Sequence, residues 1–136
     1  MLGLSHKGFN LIELLVTLAI IFIIAVIAIP TYQSHILSSR RADGKAALFK
    51  LAAHLERYYI LHQTYEGATL KALGNTEYSS GKFYQLQISS QHTQNYCLTA
   101  IPINSQAADK TCGSLTLNHL GEKGITGTGQ SEECWH

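Results

Sequence analysis

The stretch KGFNLIELLVTLAIIFIIAVIAIP, residues 7–30, holds one acidic side chain, Glu13, in an otherwise apolar run. A helix that crosses a bilayer needs about 20 apolar residues. Phe9 to Ile29 supplies that length, with Asn10, Glu13 and Thr17 as its polar members. A buried core helix, a cleaved secretory signal and a membrane span all fit such a run by length alone. Two features speak against the plain signal. A charged side chain disfavours insertion by about 2.5–3.5 kcal/mol at a helix centre, and a signal core ordinarily avoids it. Helix-compatible sequence also continues past Pro30 to about His62, so no separate domain starts after the small residues Ala25 and Ala28. Lys7 precedes the run, on the end that the positive-inside rule keeps in the cytoplasm.

Glu13 lies near that cytoplasmic end, where its penalty is smaller, but a carboxylate in lipid still needs a partner. Lys7, six residues away, is off the i,i+4 face of a helix. A cut after Gly8 would create a better one. The new α-amino group of Phe9 would be a cation at the tip of an apolar helix. In a packed array, Glu13 of one copy could meet the amine of its neighbour, and the pair would fix the axial register of the subunits.

Gly8-Phe9-Asn10-Leu11-Ile12-Glu13-Leu14, the apolar run after it, its close at Ala28-Ile29-Pro30, and Tyr32 together resemble the processing region of type IV prepilins. The resemblance implies a membrane-embedded prepilin peptidase that cuts between Gly8 and Phe9 and N-methylates Phe9. It also implies that Glu13 neutralises a neighbour's N-terminus in a filament. Pilins of this type commonly carry a glycine about where Phe22 stands here. The feature expected to loosen or kink the helix is therefore Pro30, which removes an i→i−4 hydrogen bond.

The totals fit a small anchored subunit. The 136 residues allow one small domain. Charged residues are 14%, against about 25% in ordinary soluble proteins. The net charge of +1 argues against a dedicated nucleic-acid binder. Loss of Lys7 with the leader would leave nine basic and nine acidic side chains, a balance under which copies do not repel one another. The seven histidines, at 6, 35, 54, 62, 92, 119 and 136, show no metal-ligand spacing. His54 and His62 are too far apart along a helix to share an ion. No metal or cofactor is expected.

From Thr31 to about His62 the pattern is helical. Leu48, Leu51, Ala52, Leu55, Tyr58 and Tyr59 form an apolar stripe suited to packing on a sheet. Arg40, Arg41, Asp43, Lys45, Lys50, Glu56 and Arg57 fall mostly off it, so the arginines are expected to be solvated or to bridge subunits. Gly44 is a weak point in the helix of about 1 kcal/mol. Residues 67–81 suggest a connecting loop with a short helical turn at Leu70 to Leu73. Strand-like alternation follows at Phe83 to Ile88, with Tyr84, Leu86 and Ile88 on one face. A second run covers Tyr96 to Ile103, after a turn at Ser90 to Asn95, and a third is centred on Leu115 and Leu117. A short fourth strand is expected near Ile125, after the turn Leu120 to Gly124. Sequential antiparallel strands after a long helix make an α+β unit.

Three cysteines lie in the polar half. In an exported chain one pair can bridge, leaving one thiol. The run from Tyr96 through Cys112 to Cys134-Trp135 resembles the β-region of PilE-type minor pilins, which end in a Cys-bounded loop followed by Trp. On that resemblance Cys112 pairs with Cys134 and Cys97 stays free. Cys112 is expected to open a strand and Cys134 sits near the terminus, so closing such a loop would contribute about 3 kcal/mol and hold a Gly/Ser/Thr-rich tail.

The resemblance thus implies the type IV pilin fold. The expected segments are a leader at 1–8, a membrane-spanning and filament-core helix at 9–30, its amphipathic second half at 31–62, an αβ loop at 63–81 and a three- or four-stranded sheet with a Cys-bounded loop at 82–136. It implies a non-enzymatic minor pilin, needed for pilus biogenesis and hence motility or adhesion. The precursor would sit in the bacterial inner membrane with its C-terminal domain in the periplasm, then join an extracellular filament. Its partners would be the prepilin peptidase, an inner-membrane assembly platform and other pilins; no specific nucleic acid is expected. A type II secretion pseudopilin would share the leader and Glu13, and the terminal Cys loop with Trp135 favours the pilus. A signal-anchored exported enzyme would need a converging nucleophile, base and acid, which nothing in the sequence supplies. A DNA-uptake pilin would need a basic stripe on the sheet, where residues 81–136 offer only Lys82, Lys110 and Lys123.

Overall fold

A computed structural model describes residue 3 and residues 7–136, so much of the expected leader lies outside the described residues. The element order is α1 (Leu11–His62), β1 (Tyr84–Gln91), β2 (Tyr96–Pro102), a 3-10 turn (Asn104–Ala108), β3 (Leu115–Asn118), β4 (Lys123–Ile125) and α2 (Ser131–Trp135). The chain divides into two units, residues 1–35 and residues 36–136.

In the first unit, α1 begins at Leu11, one residue after Asn10, whose carbonyl accepts the first helical bond from Leu14 N–H. Glu13 lies in the first turn, where a carboxylate complements the helix dipole. Pro30 lies inside the helix. The segment is long and apolar enough to cross a membrane, and none of its apolar window is buried within the chain.

In the second unit, the strands form one antiparallel sheet in the order β1-β2-β3-β4. The α1 stripe Leu48, Leu51 and Leu55 is fully buried with Tyr84, Leu86, Leu98, Ala100, Leu115 and Leu117 from the strands. This is the expected helix-on-sheet core, driven by apolar burial. Alternation in β1 and β2 buries Tyr84, Leu86, Leu98 and Ala100 and turns Gln85, Gln87, Cys97 and Thr99 away.

Three local differences from the sequence reading have physical causes. β1 runs on to Gln91, because the register shifts between Ile88 and Ser90. Ser89 is the extra residue, and its hydroxyl reaches Cys97 O at 3.0 Å and Thr99 Oγ1 at 2.9 Å, so the ladder resumes. The turn is thereby shortened to His92–Asn95, closed by His92 N–H to Asn95 O. Second, Cys112 does not open a strand; β3 starts at Leu115, after Gly113 at φ 60°. Third, Gly44 is a fitted position rather than a weak point. An added Cβ there would lie 2.8 Å from the ring of Tyr84, so the absence of a side chain lets that buried ring reach the helix.

Candidate functional site

Two surfaces stand apart from the ordinary core: the bare apolar helix of the first unit and the Cys-bounded loop of the second. On the helix, Phe9 is 77% exposed and precedes α1, while Phe22 is 67% exposed. Gly8 has open space around it. The Thr17 hydroxyl donates to Glu13 O at 2.7 Å, satisfying that polar group locally. The Glu13 side chain has no salt-bridge partner among the described residues. A face this apolar and this exposed marks contact with lipid or with other chains.

In the second unit, residues 104–114 are fastened to α1 by buried polar contacts. Gln106, fully buried in the 3-10 turn, donates from Nε2 to Leu37 O and to the Tyr84 hydroxyl, both at 3.0 Å. Burial raises the Tyr84 pKa, and Asp109 and Asp43 add to the shift while Gln106 and Arg41 oppose it. Arg41 grips Asp109 in a two-point pair, Nε to Oδ2 at 2.7 Å and an amino nitrogen to Oδ1 at 2.9 Å. The bonded carboxylate raises the Arg41 pKa. Asp109 Oδ1 also accepts from Cys112 N–H at 3.2 Å. A carboxylate that is 2% exposed is tolerated because these donors meet both its oxygens. Arg40 lies with its guanidinium 4.4 Å from the centroid of Phe83 and donates to Ser105 at 2.7 Å. Arg40 and Arg41 thus bind their own chain, where the sequence reading had them solvated or bridging subunits.

Cys112 and Cys134 are joined by a disulfide with a Cα–Cα distance of 5.8 Å, and Cys97 is free. Between the two, residues 126–129 run beside 110–114 with four backbone bonds: Thr126 to Ser114, Gly127 to Cys112, Thr128 to Lys110 and Gly129 to Thr111. Gly127 must be glycine, since a Cβ would strike the Thr111 carbonyl. Past Gln130 the chain forms α2, which sequence reasoning missed; its five residues are too few for a periodic signal. Trp135 packs edge-on against Phe49 at 5.9 Å and donates from Nε1 to Gly124 O at 3.0 Å. Lys123 places its ammonium 5.8 Å from the Phe49 ring and 5.7 Å from the Trp135 ring. Lys45 donates to His136 O. Burial lowers the Lys45 pKa, and Arg41 and Lys123 lower it further.

A separate aromatic and carboxylate cluster gathers around Glu56. Glu56 accepts hydrogen bonds from the hydroxyls of Tyr65 and Tyr96 at 3.0–3.1 Å. Tyr65 stacks on Tyr59 at 4.7 Å and meets Tyr96 edge-on at 4.9 Å. Burial first, then the bond to Glu56 and its charge, push the Tyr65 pKa up to about 12; the same causes raise that of Tyr96. Gln91 Nε2 donates to the carbonyls of Tyr65 and Ala68, tying the loop after α1 to the end of β1. Asp43 accepts from Gly81 N–H at the loop's other end. No group of three or more metal-binding side chains occurs among the described residues.

The geometry has counterparts. Residues 30–116 match a family model described as type IV minor pilin ComP, DNA uptake sequence receptor. Fimbrial protein Q of Moraxella bovis is 32% identical over 127 residues, covering 90% of this chain and 76% of that protein. A type IV major alpha-pilin of the same organism is 48% identical over 50 residues, 35% of this chain and 31% of that protein. The non-core minor pilin PilV of Neisseria meningitidis, known from a crystal structure, superposes with a TM-score of 0.59 at 26% identity, covering 72% of this chain and 94% of that one. The chain belongs to the type IV pilins, within the minor-pilin family of ComP.

Proposed function

We propose that this minor pilin is made as an inner-membrane precursor, cut between Gly8 and Phe9 by prepilin peptidase, N-methylated at Phe9 and passed by an assembly platform into the pilus. The observation that carries the reading is the bare apolar helix with a lone acid in its first turn, on a chain whose other unit already has a complete core. Residues 9–30 serve first as anchor and then as filament core, with Lys7 on the cytoplasmic side and residues 36–136 in the periplasm. Residues 31–62 are the amphipathic half of the helix, 63–81 the αβ loop and 82–136 the sheet with its Cys-bounded loop. Pro30, lacking an N–H, is the point where the helix loosens on packing. The work is structural, as in the fimbrial relatives, and supports pilus biogenesis and so motility or adhesion; these relatives favour the pilus over a pseudopilus.

Within the filament, Glu13 meets the methylated amine of a neighbour's Phe9. Both charges are then compensated away from water, and a subunit out of register leaves both unpaired. Glu13→Val tests this directly. The variant is expected to insert into the inner membrane at the normal level and to be absent from sheared pili. Normal incorporation of the variant would sink the register role.

The matched family's description favours one second reading, DNA binding during uptake. Lys82, Lys110 and Lys123 are all exposed, and Lys123 also lies over the rings of Phe49 and Trp135. A phosphate-contacting surface would show binding to duplex DNA that weakens steeply as salt rises. Salt-dependent retention of short duplexes by the full chain in detergent, lost in a Lys82→Ala/Lys110→Ala variant, would establish this second reading. No retention at low salt would leave the structural role alone.

A further inference from the structure

The end of the αβ loop runs beside β1. Tyr78 and Gln85 face each other across an antiparallel bridge, so their side chains stand on one face of the sheet. Gln85 is turned away from the core, and Tyr78, 41% exposed, stands beside it. With Lys82, Ile103 and Asn104 they line an open cleft of about 440 Å³, within the size range of small-molecule sites. Backbone bonds hold its walls. The Thr76 hydroxyl donates to Tyr78 O at 2.7 Å, Lys82 N–H to Ser79 O at 2.9 Å and Ile103 N–H to Phe83 O at 2.9 Å. Among the described residues three that are not glycine have a left-handed backbone, and two of them, Lys82 (φ 57°) and Asn104 (φ 53°), line this cleft. Such conformations are disfavoured for residues with a side chain and gather at ligand sites.

We propose that this cleft binds a carboxylate-bearing sugar unit of a glycan. Such a unit presents an apolar C–H face, hydroxyls that both donate and accept, and one negative charge. The lining has a counterpart for each. The exposed Tyr78 ring has a negative face that attracts C–H groups, and Ile103 adds apolar surface. The amides of Gln85 and Asn104 each carry two N–H donors and a carbonyl acceptor, the pattern that hydroxyls match. Lys82 supplies one ammonium for one carboxylate, and no acidic side chain lines the cleft among the described residues. Gln87 and Thr99, paired next along the outward face, are uncharged, so a polyphosphate chain meets no row of cations there. The cleft belongs wholly to the second unit, and binding needs no processing of the first.

Amide NMR of the full chain in a sugar-free zwitterionic detergent, titrated with methyl glucuronide, methyl glucoside or acetate, tests the site. The glucuronide is expected to shift the Gln85 and Asn104 side-chain amides saturably. The glucoside should bind about fivefold more weakly, for want of the exposed ion pair, and acetate should leave both amides unmoved. Lys82→Gln should make the two sugars bind alike. Tyr78→Ala should weaken both about tenfold, with the β2 and β3 amides in place as the check on folding. No shift with either sugar would overturn the proposal. Equal shifts from acetate and the glucuronide would reduce the cleft to an anion site and contradict it. Equal binding of the two sugars by the unaltered chain, or a preference for the glucuronide that survives Lys82→Gln, would contradict the carboxylate contact.

Discussion

The same 52-residue helix serves two opposite economies of apolar surface. Before residue 35 nearly every large apolar side chain is exposed, from Leu11 at 75% to Tyr32 at 66%. After residue 36 the stripe Leu48, Leu51 and Leu55 is wholly covered by the chain's own sheet. The first region is apolar all round, the composition of a helix that finds its surroundings in lipid or in other copies. The second is apolar on one face only and satisfied internally. Hydrophobicity alone does not distinguish them; its angular distribution does. A chain built this way completes the core of its second region without drawing on the apolar surface of the first.

The second region's independence can be broken at its buried polar contacts, and the largest effect is expected at Asp109. Asp109→Ala leaves the Arg41 guanidinium partly buried without its carboxylate and removes the acceptor for Cys112 N–H. Loss of one partner of such a pair destabilises by about 3–5 kcal/mol. Urea unfolding of the full chain in detergent, followed by Trp135 fluorescence, should show this drop with membrane insertion of the first region unaffected.

A smaller loss is expected at Gly44. Alanine is the better helix former by about 1 kcal/mol, yet its Cβ would press on the Tyr84 ring at 2.8 Å. Overpacking of this kind costs about 1–3 kcal/mol, so Gly44→Ala should lower stability or at best leave it level. A clear gain in unfolding midpoint would mean that Tyr84 does not pack there in solution.

The smallest effect is a dependence on pH. The folded Tyr65 pKa, about 12, lies above the ordinary 10.0. Between those values the folded chain retains a proton that the unfolded chain has released. The stabilisation is full below pH 10 and is lost as pH rises towards 12. The unfolding midpoint should fall over that range, and Tyr65→Phe should flatten the slope in part, Tyr96 still contributing. A midpoint that holds constant from pH 10 to 12 would contradict the Tyr65–Glu56 contact.

These regions also differed in how far the sequence disclosed them. The long apolar helix, the buried stripe at Leu48 to Leu55 and the strand alternation at Tyr84 to Leu86 are local patterns, legible one segment at a time. The bulge at Ser89 was not, because it exists only through the register with Cys97 and Thr99. Asp109 looks like a polar loop residue and Gln106 a turn residue, and their partners Arg41 and Leu37 lie in a distant helix. Gly44 did carry a signal. A glycine inside an otherwise good helix invites a packing reason, but only the tertiary structure shows that Tyr84 supplies it.

The account rests on the first region being a processed helix made to meet its neighbours. Mass spectrometry of the chain purified from cells reads its true start. We predict a mature N-terminus at Phe9 bearing one added methyl group. A chain that begins at Met1, or well beyond Pro30, would contradict the account.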